Sequence, residues 1–192
     1  GMNPYGSYDY NYKQVYENTK LTGDLSLAGW NYQAMKAAFA AGCSVPGLPE
    51  AIDKSIEGIN KVHRCTDGGF QYNKGGRKGS ATMTAVGVLC LQLLGEGKSP
   101  EAKNGIKWFS LNKYDGNKRS YTTCDWTNAP QSPLYLWYYM TQALFQASTT
   151  KTGSSSAWKQ WNKTFTKVLI QEQNADGSWD HPVKKNPKIK HW

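Results

Sequence analysis

At 192 residues the chain is the size of one domain with a real core, and its 8 Trp and 12 Tyr exclude a disordered chain, which cannot bury enough apolar surface to offset ordering entropy. The net charge of +9 comes partly from Lys184, Lys185, Lys188 and Lys190, in a basic tail over 183–192 with no acid to offset it. The rest is spread over the body with no recognition motif, so nucleic acid is not an expected partner, and no apolar run reaches the ~18 residues of a membrane span.

Residues 1–20 read as an N-terminal arm or linker, because the Tyr/Asn-rich stretch from Tyr5 to Tyr16 has neither helical nor strand periodicity. Gly1 before Met2 reads as a tag scar. A leader trimmed with the start of the chain, and hence export, is therefore one reading of a compartment that stays open.

A single domain is expected over 21–182. Its first element is a helix from Gly29 to Gly42 whose only charge is Lys36. An amphipathic helix follows, with Ile52, Ile56, Ile59 and Val62 at helical spacing and Glu50, Asp53, Lys54, Glu57 and Lys61 between them. A basic loop, Lys74 to Ser80, leads into a second uncharged helix, Ala81 to Gly95. The next helix starts at Ser99-Pro100-Glu101, a cap, a first-turn proline and an acid at the positive end of the helix dipole. Pro49-Glu50 and Ser132-Pro133 are start signals of the same kind. A third uncharged helix runs from Leu134 to Ser148, and Trp158, Trp161, Phe165, Val168 and Leu169 stripe a third amphipathic one.

The uncharged helices end at Gly42, Gly95 and Ser148, each 53 residues after the last. Ala37, Cys90 and Ala143 match in that register, as do Trp30, Met83 and Leu136. A helix apolar on every side is expected to be buried on every side, and an amphipathic one wet on one face. Three such pairs predict an all-α fold, with uncharged helices inside, amphipathic ones outside, and the pairs side by side in a curved array.

The ends of the outer helices carry the most specific signal. Gln173-Asn174-Ala175-Asp176-Gly177-Ser178-Trp179 reads as Gln, three residues, Gly, any residue, aromatic. Arg64-Cys65-Thr66-Asp67-Gly68-Gly69-Phe70 repeats it 109 residues earlier, and Asn112 to Gly116 is a worn middle copy. Locally, Asp-Gly makes a tight turn and the aromatic folds back on the helix end. The pattern resembles the QW-type motif of squalene and hopene cyclases, in the α/α-toroid group that also holds the β subunits of protein prenyltransferases. The likeness covers about residues 24 to 181. It implies three α-α hairpin repeats of about 53 residues in a toroid-like arc, a partial toroid, since full rings of that group use about twice as many pairs.

The chemistry of that group does not carry over residue by residue. Its cyclases protonate substrate with Asp-x-Asp-Asp, its prenyltransferases hold zinc through Asp-x-Cys and a distant His, and its thioester relatives need Gly-Cys-Gly-Glu-Gln. None of these runs is present, and Cys124-Asp125 has the wrong order and spacing. Neither metal nor cofactor is expected. Cys43, Cys65, Cys90 and Cys124 form no C-x-x-C pair, which argues against structural zinc, and their even number permits disulfides without showing them. Of the three histidines, His63, His181 and His191, two lie at or near turns or the tail.

Three sets of side chains are candidates. Trp30 and Tyr32, with Tyr135, Trp137, Tyr138 and Tyr139, start inner helices, and in a curved array such rings could stack on a sugar or hold a cation, or else pack between layers. Lys74, Arg77 and Lys78, with Lys118 and Arg119 one repeat on, could take an anion at a helix start, although the spacing is not a P-loop and a solvated linker fits as well. Asp24 and Asp125 each lie within ten residues before an inner helix and could do acid–base work, or cap. The leading expectation is a non-catalytic binding or scaffold module of an exported, bacterial-type protein, taking a small molecule, a sugar or a protein. The alternative is an enzyme on an isoprenoid or carbohydrate with Asp24 or Asp125 as acid. A third reading is a protein-interaction arc that self-associates into a homo-oligomer, since an open array leaves ends to be capped.

Overall fold

The computed structural model describes residues 1–10, 23–109, 124–127, 129, 133–149 and 155–182. The fold is all-α. Among the described residues there are six α-helices, and extended backbone pairs only as isolated bridges.

Helix α1 is Leu25–Ala40. It stops at Gly42, where φ is +73°, with Cys43 N–H donating to Ala38 O and Gly42 N–H to Phe39 O. That paired closure needs a left-handed residue, which glycine adopts without strain. Helix α2 is Leu48–Gly58, with Pro49 and Glu50 in its first turn, and it runs on into a π-helical turn, Ile59–His63. Helix α3 is Ala81–Leu91, capped by Ser80 Oγ, which accepts from Met83 N–H at 3.2 Å. Its π-helical extension Gln92–Glu96 breaks at Gly95, the glycine stop expected there. Helix α4 is Pro100–Trp108, capped by Ser99. Helices α5 and α6 are Pro133–Thr149 and Ser155–Gln171.

Helix α3 packs against α1 on one side and α5 on the other, while α2, α4 and α6 each lie against the helix before them in the chain. Every residue of α3 from Met83 to Leu91 is buried. Burial on every side therefore holds for α3 and not for the other two uncharged helices. On α1 the side chains of Trp30, Ala34, Ala37 and Phe39 face solvent, and on α5 so do those of Leu134, Tyr138 and Phe145. The difference is positional: among the described residues α3 has an uncharged neighbour on both sides, whereas α1 and α5 each pack on α3 and touch each other at Tyr139.

The turn motif is a seven-residue hairpin. In Arg64–Phe70 the end residues bridge, Cys65 N–H donates to Gly69 O at 2.8 Å, Gly68 N–H donates to Cys65 O at 3.1 Å, and Gly68 has φ +86°. In Gln173–Trp179 the ends bridge, Asn174 N–H donates to Ser178 O at 2.8 Å, Gly177 N–H donates to Asn174 O at 2.9 Å, and Gly177 has φ +86°. This is a short hairpin loop with its left-handed position filled by glycine. The worn copy at 112–116 lies outside the described residues.

A third hairpin of this kind stands in the stretch read from sequence as a linker or an arm packing on the domain. Met2 bridges Tyr8, Asn3 N–H donates to Ser7 O at 2.8 Å, Gly6 N–H donates to Asn3 O at 3.0 Å, and Gly6 has φ +81°. Each of the first two hairpins lies against the helix pair that follows it. Gly6 sits so close to α2 that a Cβ on Gly58 would come within 2.7 Å of Gly6 O. Phe70 is buried between Gly87 of α3 and Gly105 of α4. Asp67 ties its hairpin down: its carboxylate accepts from Gly69 N–H (3.0 Å), Gly79 N–H (3.1 Å) and the indole N–H of Trp108 (2.9 Å). The last hairpin differs. All its residues are exposed, and Trp179 turns back to donate to Leu169 O of α6 at 2.8 Å.

Candidate functional site

The start of α5 and the first turns of α1 bring an aromatic group together. Tyr139 is fully buried and stands at its centre. Trp30 meets it edge-on, with centroids 6.3 Å apart and planes at 78°. Tyr138 meets it at 5.2 Å and 89°, and Tyr135 lies 4.7 Å away. Gln33 of α1 donates to the Tyr139 hydroxyl at 3.3 Å and to Gly29 O at 3.1 Å. Gly29 lets α1 close on α3: a Cβ there would stand 2.8 Å from Val86.

Two of these rings are presented to solvent. Trp30 is 54% exposed and Tyr138 52%. Burial of a ring this size is worth about 2–3 kcal/mol, so rings left open on both sides of a buried anchor are an available apolar surface. The hydroxyls of Tyr139 and Tyr135 have pKa values raised above the ordinary 10, chiefly by desolvation, and for Tyr135 also by Tyr139 beside it. Both remain neutral at neutral pH. The group is thus an uncharged surface on which the Trp30 and Tyr138 rings are open and the Tyr135 and Tyr139 hydroxyls lie buried beneath.

Tyr32 and Trp137 stand apart from it. Tyr32 is buried, donates to Gly6 O at 2.8 Å and packs edge-on with Tyr8 at 6.0 Å, so it fastens the first hairpin. Trp137 is buried on the opposite side of α5, between Trp126 at 5.5 Å and Phe165 of α6 at 5.7 Å. Helical spacing separates them: Tyr135, Tyr138 and Tyr139 recur at three and four residues, and Trp137 falls between. Gln33 carried no sequence signal of its own, and it emerges from the packing of α1 on α5.

Asp24 caps α1, accepting from Ser26 N–H at 2.8 Å, Leu27 N–H at 3.4 Å and the Ser26 hydroxyl. Asp125 is exposed and accepts from the amide and hydroxyl of Thr127, each at 3.0 Å. Both carboxylates thus serve local turns. Cys124, beside Asp125, has its thiol pKa pushed up to about 12, by burial first and then by that carboxylate.

Lys74, Arg77 and Lys78 have exposed side chains on a loop tied down by its backbone. Gly75 N–H donates to Val62 O, Thr66 N–H to Gly76 O, and Gln71 to Lys78 O. The Ser80 hydroxyl occupies the start of α3 beyond it. Arg119 and Lys118 lie outside the described residues. All four cysteine thiols are unlinked, with Cys43 exposed and Cys65 and Cys90 buried. Among the described residues no group of three His, Cys, Asp or Glu side chains is placed to hold a metal, and no helix is long and apolar enough to cross a membrane.

Comparison with protein-family models, with curated proteins and with solved structures gives no match to this chain.

Proposed function

We propose that this chain is a short α/α-toroid-like repeat module, resembling the prenyltransferase and squalene-cyclase group, that binds a neutral ring-bearing ligand, a saccharide, through Trp30 and Tyr138, with Tyr139 and Tyr135 packed behind them as support. The repeat reading draws support from three hairpins of one geometry and from the placement of α3 between α1 and α5. The observation that carries the binding reading is the pair of half-exposed rings, Trp30 and Tyr138, braced edge-on against one buried tyrosine. A sugar lays its C–H face on such rings, and the half-exposed Tyr138 supplies a hydroxyl beside them. Binding rather than acid–base conversion is favoured because Asp24 and Asp125 are engaged by neighbouring amides and hydroxyls.

Titration with cellohexaose and with maltohexaose, followed by calorimetry and tryptophan fluorescence, tests this. Loss of one stacking ring costs about 1–1.5 kcal/mol, roughly five- to tenfold in Kd, so Trp30→Ala and Tyr138→Ala each weaken binding by that much while melting with the wild type. Absence of binding by either sugar at millimolar concentration, or binding indifferent to both substitutions, refutes the reading.

A further inference from the structure

His63 is the one charged-capable side chain that α2 sends into the interior. It closes the π-helical turn and is fully buried, as is Ser7 of the first hairpin. Its Nδ1 lies 2.7 Å from Asn73 O and its Nε2 lies 2.8 Å from Ser7 Oγ. A carbonyl can only accept, so the hydrogen sits on Nδ1. Nε2 of the neutral ring therefore accepts from the Ser7 hydroxyl. Both nitrogens are satisfied in that one tautomer.

We infer that His63 is an acid-released latch: the neutral ring holds the hairpin Met2–Tyr8 on the domain, and its protonation frees that hairpin. Other contacts also hold the hairpin: Tyr32 donates to Gly6 O, Asp24 N–H donates to Tyr8 O at 2.8 Å, the Tyr8 ring packs edge-on with Tyr32, and Gly23 walls in Ser7 so closely that a Cβ there would lie 2.4 Å from Ser7 Oγ. On α2 the hairpin comes close to Gly58 and to the backbone of Lys54.

A proton on Nε2 would point at a hydroxyl whose own hydrogen is aimed back at the ring. The hydroxyl would have to turn away, and a cation would be left in a dry site. Burial is the largest influence on the ring and holds its pKa below the ordinary 6.5. The carbonyls of Asn73, Gln71 and Tyr72 and the carboxylate of Asp24 act in the opposite direction. Asp24 is already bound by Ser26 and Leu27. On the α1 side the Tyr32 hydroxyl is held neutral by its own burial, and on the α2 turn itself the flanking charges are Lys61, paired with Glu57, and Arg64, paired with Glu101. For a histidine with a lowered folded pKa, the stabilising contact is intact above about 6.5 and is lost as pH falls from there through the folded value.

Hydrogen exchange by mass spectrometry from pH 7.5 to 5, corrected for intrinsic rates, tests the latch on the whole chain. The expected result is that peptides covering Met2–Tyr8 lose protection by up to about tenfold per pH unit below 6.5, while peptides from α3 keep theirs. Ser7→Ala is expected to open the hairpin at every pH with α3 still protected, and His63→Gln to remove the pH dependence. The latch is overturned if hairpin protection does not change with pH, if it falls only in step with α3, or if His63→Gln keeps the wild-type profile. Should His63→Gln not fold, the ring resonances of His63 decide on the wild type: titration at or above 6.5 overturns the latch, and titration below it in step with hairpin opening supports it.

Discussion

Replacing Asp67 by alanine removes the acceptor shared by three donors, the amides of Gly69 and Gly79 and the indole N–H of Trp108. The Trp108 side chain is almost wholly buried, so water cannot take the place of the carboxylate there. A hydrogen bond to a charged group contributes about 1.5–3 kcal/mol, and a buried donor left alone costs about 1–3 kcal/mol. Taking about 2 kcal/mol for the indole and about 1 for each half-buried glycine amide gives a loss of roughly 4 kcal/mol. For a chain of this length that lowers Tm by roughly 10 °C. Urea denaturation of Asp67→Ala, Trp108→Phe and the double variant measures it. Trp108→Phe alone removes about 2 kcal/mol, and because both substitutions break one bond the double variant falls short of their sum by a similar amount. A loss under about 1 kcal/mol for Asp67→Ala, or strict additivity, would show that the hairpin is held by packing of Phe70 alone. Among the described residues the equivalent Asp176 accepts from the amide and hydroxyl of Ser178 and is fully exposed, so Asp176→Ala should leave the denaturation midpoint where it was.

Gly87→Ala places a methyl group 2.7 Å from Cγ of Phe70, and Gly105→Ala places one 2.2 Å from Val88, so each should destabilise by about 1–3 kcal/mol through overpacking, as read from urea midpoints. Thiol labelling at pH 8 separates the cysteines. Exposed Cys43 should react within minutes, whereas Cys90, fully buried with its pKa pushed up to about 12, should react only at the rate of unfolding. Equal rates for the two would mean that α3 opens readily.

The helix pairs were legible because charge is nearly absent from α1, α3 and α5 and falls on one side of α2, α4 and α6, a contrast set by burial. Their starts were legible where Pro49, Ser99 and Pro100 act locally through caps and a fixed φ. The exposed face of α1 was not, since Trp30 and Phe39 look like core residues until the neighbours of their helix are known. The first hairpin escaped because Tyr5 stands where the other two copies carry Asp, although Asn3, Gly6, Ser7 and Tyr8 match Asn174, Gly177, Ser178 and Trp179. At the site, the spacing of Tyr135 and Tyr139 showed that they share a face, and the partnership with Gln33 depended on how α1 meets α5. His63 is a lone histidine between Val62 and Arg64, and its burial follows from the tertiary approach of Ser7 and Asn73, which are 56 and 10 residues away.

The hairpin at Gln173–Trp179 keeps the backbone geometry of the other two with no helix pair among the described residues laid over it. Its shape is therefore dictated by seven consecutive residues, chiefly a left-handed glycine and the Asx-type contact before it, and not by the packing that covers its counterparts. A loop that short closes in about 1–10 μs, well before distant helices can find one another. Each helix pair would then meet a corner that is already bent, and the search during folding reduces to docking preformed neighbours in chain order. Such a protein has little need of long-range contacts to begin folding, which is the condition under which a chain can start to fold while it is still being synthesised.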